Sequence, residues 1–151
     1  MPDVSIRPLM APDIPVIAGW MAATPLWQRY RLTEVSARSG LEQALSRGDM
    51  LLVADVDNEN GQACGLAWCL REGAFGRSAY LRILGVRASH SGLGIGAALL
   101  SCAEQTAAET TTAKGTAALF LLVSDFNVEA QRFYQRRISN VFQLYMLSGT
   151  H

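Results

Sequence analysis

Leu81-Arg82-Ile83-Leu84-Gly85-Val86, then Ser91-Gly92-Leu93-Gly94-Ile95-Gly96, then Ala97-Ala98-Leu99-Leu100 is the stretch on which the reading of this 151-residue chain turns. The first block is an apolar strand, the last has the alanines and leucines of a helix, and the middle one joins them with closely spaced glycines. Without side chains, a backbone can approach a phosphate closely and adopt dihedrals closed to other residues. A helix that opens on such a loop adds its unpaired N–H groups and the positive end of its dipole. The block is therefore either a tight strand-to-helix turn with no ligand or a seat for a phosphate-bearing one. Gly92, Gly94 and Ala97 satisfy the spacing of a dinucleotide fingerprint. That fingerprint requires an acidic residue about twenty positions on, where this chain has Thr110-Thr111-Thr112. No Gly-Lys-Ser/Thr follows at the spacing of a nucleotide-triphosphate loop.

Outward from this block, the chain alternates. Val4 to Pro8 reads as a short strand, and Asp13 is placed to cap a helix through Trp20 or Met21, with Pro12 and Pro15 near its first turn. Thr24 to Leu32 reads as an irregular connection that packs over something. A second helix spans roughly Thr33 to Ser46 and stops at Gly48-Asp49. Leu51–Val56 and Ala63–Leu70 form a hairpin about the turn at residues 57–61, a turn at Glu72-Gly73 follows, and Ala79–Val86 is the third strand. A helix from about Leu93 to Thr110, a buried strand from Ala117 to Val123, a helix from about Val128 to Arg136 and a strand from Val141 to Leu147 complete the order βααβββαβαβ. Antiparallel strands first and a βαβ-like part later imply an α/β fold: one domain over residues 1–151, with a mixed central sheet flanked by helices.

Composition removes several classes of function. Half of the residues are hydrophobic and 17% are charged, with thirteen basic residues against thirteen acidic ones. No net field draws the chain to nucleic acid or to an anionic membrane. No apolar run reaches membrane-spanning length, the first residues lack the pattern of a signal peptide, and a cytoplasmic location is expected. Cys64, Cys69 and Cys102 sit in apolar runs, as buried free thiols do in a reducing compartment. Cys64 and Cys69 lie five positions apart, which on one strand places them on opposite faces and speaks against a shared metal.

A second segment completes the pattern. Asn127-Val128-Glu129-Ala130-Gln131-Arg132-Phe133-Tyr134 follows the buried strand, with Asn127 placed to cap the helix. Together with the glycine block it resembles the GNAT superfamily of N-acetyltransferases, whose loop has the form Arg/Gln-x-x-Gly-x-Gly/Ala and whose later segment has the form Asn-x-x-Ala-x-x-Phe/Leu-Tyr. Gly94 and Gly96 match, whereas Ser91 stands at the Arg/Gln position and Ile138-Ser139 replace the usual Gly-Phe after the tyrosine. The resemblance implies a GNAT-like fold that binds acetyl-CoA. The backbone amides of Ser91, Gly92, Leu93, Gly94, Ile95 and Gly96 would hold its pyrophosphate, the main chain at Leu84, Gly85 and Val86 its pantetheine arm, and Asn127 and Tyr134 would lie beside it. A homodimer is also within what the resemblance implies.

The implied reaction is direct transfer of an acetyl group from acetyl-CoA to a primary amine, and Tyr134 would protonate the departing thiolate as a general acid. The family's glutamate on the strand before the loop falls in the neighbourhood of Arg82. Asp125 and His90 read more naturally as a turn residue and a surface or rim residue than as bases, and His151 has no case, so water is left to accept the amine proton. Trp27, Tyr30 and Arg31 are the candidates for the acceptor side. The alternative reading is a non-catalytic acyl-CoA-binding sensor or partner module. The sequence leaves the acceptor, the acyl chain and the oligomeric state open.

Overall fold

The apolar runs pair into one six-stranded sheet in a computed structural model that describes residues 3–56, 62–74, 78–110, 119–124, 127–137 and 144–147. The elements run β1 (Val4–Pro8), α1 (Asp13–Ala22), α2 (Pro25–Arg29), α3 (Glu34–Arg47), β2 (Met50–Val56), β3 (Gly65–Ala74), β4 (Ser78–Val86), α4 (Ile95–Thr110), β5 (Leu119–Ser124), α5 (Val128–Arg137) and β6 (Leu144–Leu147). The strands lie side by side in chain order. β1 to β4 are antiparallel, and β4 to β6 are parallel, as their helical connections require. This is the mixed sheet expected from the sequence.

Period-two alternation sends neighbouring side chains to opposite faces. On β2, Met50, Leu52, Ala54 and Val56 join one core with Ile95, Leu99, Leu100 and Ala103 of α4. Leu51 and Val53 join a second core with Ile14, Ile17 and Trp20 of α1 and Leu41 and Ala44 of α3. Gly65, at the start of β3, lets α4 come close to the sheet. A Cβ there would stand 2.8 Å from Leu99 Cδ1 and 3.0 Å from Ile95 Cγ2. Because Ile95 is the first residue of α4, this contact also sets the height of the glycine loop.

Local chemistry explains the helix ends. Thr33 and Ser36 form a reciprocal capping box at the start of α3, and Gly48 ends it at φ 85. Asp13 does not cap α1 as expected. Pro12 holds that position, and Asp13 instead receives Arg7 at 2.7 and 2.8 Å and the Met10 N–H at 2.8 Å. Arg7 also reaches Asp55 at 2.6 Å, so one guanidinium ties β1, α1 and β2 together. Burial alone would raise the Asp13 pKa, but the hydrogen bonds from Arg7 and Met10 overcome it and hold the carboxyl below its usual range.

Other expectations need correction. The connection after α1 contains a helical turn, α2, started by Pro25 at its first position. β3 runs through Glu72-Gly73 to Ala74, where a turn was expected, and α4 starts at Ile95 rather than Leu93. Cys64 and Cys69 lie in the same core, because Cys64 precedes β3 and its thiol turns to the Ala54 carbonyl at 3.3 Å. No cluster of three or more metal-ligating side chains occurs among the described residues. Among them, no helix is long and apolar enough to cross a membrane.

Because a side chain at Gly65 has nowhere to go, Gly65→Val is expected to destabilise the fold by about 1–3 kcal/mol. An unchanged urea midpoint would contradict this packing.

Candidate functional site

Among the described residues, β4 and β5 are paired over three residues. Ala79, Tyr80 and Leu81 pair with Leu119, Phe120 and Leu121, while β4 continues to Val86 and β5 goes on with β6 as its partner. The ladder on the other side of β4 shows what this parting exposes. Arg87 N–H donates to the Cys64 carbonyl at 2.8 Å, and hydrogen-bonded pairs alternate along an antiparallel ladder, so Gly85 faces Leu66 in the next such pair. Leu84 and Val86 therefore turn their N–H and C=O groups away from β3, into the gap. Between Cys69↔Leu81 and Trp68↔Ile83 the register slips by one, which makes Arg82 the extra residue of a β-bulge.

The glycine loop lies at the open end of this gap. Gly92 and Gly94 have φ of 80 and 78, a region that L side chains rarely adopt, and a Cβ on either would meet nothing within 4 Å. Ala98 N–H bonds to Gly94 O at 3.0 Å, so the N–H groups of Ile95, Gly96 and Ala97 precede the first bond of the α4 ladder. Gly96 lines the cleft described below, and a Cβ on it would come 3.5 Å from the Phe133 ring. Ser91 is exposed, Leu93 is half-buried and Ile95 is anchored in the core, so the loop is pinned from below and open above. His90 is buried, not at the surface as expected, and its Nδ1 lies 2.8 Å from the Ser89 hydroxyl.

A cleft of about 950 Å³ runs from the loop through the gap. Leu84, Val86, Gly96, Asn127 and Tyr134 line it, as do Trp27 and Tyr30 of the α2 segment. Gly85 faces away, with its Cβ position 3.5 Å from both Trp20 and Trp27. Arg31 is not among the lining residues. It stands exposed after α2 with φ 60, a strained conformation for a non-glycine residue. Asn127 Oδ1 accepts the Ala130 N–H at 3.2 Å and so caps α5. Residues that the sequence reading did not place on the cleft include Leu26, Leu32, Tyr80, Arg82, Glu129, Arg132 and Arg136. A lone arginine inside an apolar strand was the available signal for Arg82. For Arg132 and Arg136 it was their spacing of four on the helix, with Arg136 three residues after Phe133. Asp125 and His151 lie outside the described residues.

Residues 17–138 match the model of a family described as acetyltransferase (GNAT) family. Among solved structures, a transcriptional regulator from Bacillus halodurans C-125 is 19% identical and superposes with a TM-score of 0.72, covering 99% of each chain. An aminoglycoside N-acetyltransferase in complex with CoA is 16% identical, with a TM-score of 0.70 over 99% of this chain and 96% of that one. The PaiA N-acetyltransferase from Thermoplasma acidophilum in complex with coenzyme A is 18% identical, with a TM-score of 0.62 over 92% of this chain and 94% of that one. At such identities the likeness establishes the shared fold. A search of curated protein sequences found no match to the chain.

Tyr134 is the titratable group that the cleft perturbs most. It is 8% exposed, with its ring edge-on to Phe133 at 5.2 Å. Burial, reinforced by Cys69, pushes its phenol above the usual tyrosine range, and burial also pushes the Cys69 thiol up to about 12. Both groups stay protonated at neutral pH. The difference in phenolate absorbance between wild type and Tyr134→Phe is therefore expected to emerge only above the ordinary range, about pH 10. A difference that titrates at or below that value would contradict the buried phenol.

Proposed function

The chain belongs to the acetyltransferase (GNAT) family, and from that membership we propose that it moves an acetyl group from acetyl-CoA to a primary amine by direct transfer. The observation that carries this reading is the parting of β4 from β5 beside the glycine loop, with the main-chain groups of Leu84 and Val86 turned into the gap. An extended pantetheine arm fits there as an added strand. At the open end, the N–H groups that begin α4 suit a pyrophosphate, and nothing beyond backbone crowds the two left-handed glycines. Ser91 supplies no positive charge, so the loop's grip rests on its amides.

In the proposed chemistry the attacking amine forms a C–N bond to the acetyl carbon, the C–S bond breaks, and CoA leaves as a thiolate. The Val86 N–H polarises the thioester carbonyl as charge develops on its oxygen. Tyr134 donates its proton to the thiolate sulfur. Burial keeps the phenol protonated in the resting site; the transfer restores the thiolate to a thiol, and the phenolate regains its proton from the water that took the amine's. Water takes the proton released by the amine, since the strand position that a basic residue would occupy carries Arg82. Trp27 and Tyr30, on the opposite face from α4, bound the approach of the acceptor. No covalent intermediate on the enzyme is required.

Two substitutions separate binding from chemistry. Gly94→Asp places a carboxylate among the loop amides at a φ that aspartate tolerates better than most residues. It is expected to weaken acetyl-CoA binding, measured by isothermal titration, by about a hundredfold or more. Tyr134→Phe is expected to keep that affinity and to lose about 10²–10⁴-fold in transfer, read as CoA thiol released across an amine panel. Folded wild type that binds no acetyl-CoA would overturn the reading, and so would a phenylalanine variant with undiminished transfer.

A further inference from the structure

Arg82 is the extra residue of the β4 bulge, and the bulge decides where it points. A bulge turns two successive residues to one side, so Arg82 joins Ile83 on the face that carries Trp68 and α1. There its guanidinium lies 4.8 Å from the centroid of the Trp68 ring. That ring is itself fixed: Trp68 is 5% exposed, and its Nε1–H donates to Asp49 Oδ2 at 2.9 Å. Asp49 is in turn held by Arg47 at 2.6 and 3.0 Å. The sequence Arg47, Asp49, Trp68, Arg82 is therefore a scaffold that ends on an arginine stacked over an aromatic face.

The end of this scaffold is open. Arg82 feels the charge of Asp49 but makes no ion pair within 4 Å among the described residues, and it lines the same cleft as Trp27 and Tyr30. A guanidinium held over an aromatic face can still offer N–H donors, which are able to meet a carboxylate through two parallel bonds. The cleft supports the same sign of ligand, since its other described charged residues are Arg132, Arg136 and Glu129. In the acceptor half, then, a positive and preorganised donor stands where the reacting amine must arrive.

We propose that Arg82 binds a carboxylate on the acceptor, so that the acceptor class is an amine that also carries a carboxylate, an amino acid or a peptide end, rather than a plain amine. The proposal rests on the transferase reading. The arginine orients the acceptor by its anionic end and leaves the amine to face the thioester. The contact with Trp68 restrains the arginine before binding and so lowers the entropy it would lose.

The test compares each of a set of amino acids and ω-amino acids of increasing length with its own amide, in wild type, Arg82→Gln and Arg82→Lys, with short dipeptides and their C-terminal amides as a further arm. Transfer is read as kcat/KM, and binding is read separately by titration into CoA-saturated protein. Wild type is expected to favour the best carboxylate over its amide by about 10–100-fold, chiefly through KM. Arg82→Gln is expected to bring that ratio near one. Arg82→Lys is expected to fall between, because it keeps the charge and loses the fork. The dipeptide arm tells a free amino acid from a peptide end. A wild-type ratio near one, a preference for amides, or a preference that survives Arg82→Gln would each overturn the proposal. Carboxylate binding that depends on Arg82 without transfer to any amine would support the proposal and sink the transferase reading instead.

Discussion

Everything at the site depends on two parallel strands that cannot stay together. Among the described residues, β4 and β5 are paired over three residues and then part, leaving one side of β4 with no strand beside it there. Backbone N–H and C=O groups that lack a partner are costly when removed from water, so a sheet that opens in this way needs either solvent or a ligand in the gap. The unpaired stretch ends where the glycine loop begins. A long ligand with amide groups along its arm and phosphates at its end meets both features in order.

The surrounding packing keeps the gap from closing or shifting. The Gly65 contact lets α4 press against β3, which fixes the first turn of α4 and hence the loop amides. On the other face, Arg7 ties β1, β2 and α1 together through Asp13 and Asp55, steadying the platform under Trp20 and Trp27. α5 closes the third side, with Phe133 against Gly96 and Tyr134 buried in the same core as α4. The burial that secures Tyr134 also raises its pKa, so the same packing keeps the phenol protonated.

Much of this was legible in the sequence because the relevant signals are local. The glycine spacing, the Asn127 to Tyr134 segment, the Thr33 cap and the Gly48 stop each depend on a few adjacent residues, and the element order matches the expected one apart from the added helical turn α2. What stayed hidden depends on partners distant in the chain. Asp13 left its capping position for Arg7, which also holds Asp55 on a distant strand, and no local pattern announces this. The bulge at Arg82 is a mismatch between two strands and cannot be read from either alone. Arg31 was proposed for the acceptor side by proximity to Trp27 and Tyr30, but a left-handed turn takes it away from the cleft. Cys64 and Cys69 share a core because the first precedes the strand, a boundary effect of a single residue.

The central claim is that the open side of β4 is the ligand's partner strand, and amide hydrogen exchange with and without acetyl-CoA tests it directly. Protection appearing at Leu84 and Val86 and through residues 92–97, with Ala79 to Leu81 unchanged because β5 already pairs with them, is the predicted result. Exchange at Leu84 and Val86 that does not respond to saturating acetyl-CoA, or protection confined to another part of the chain, would contradict the account.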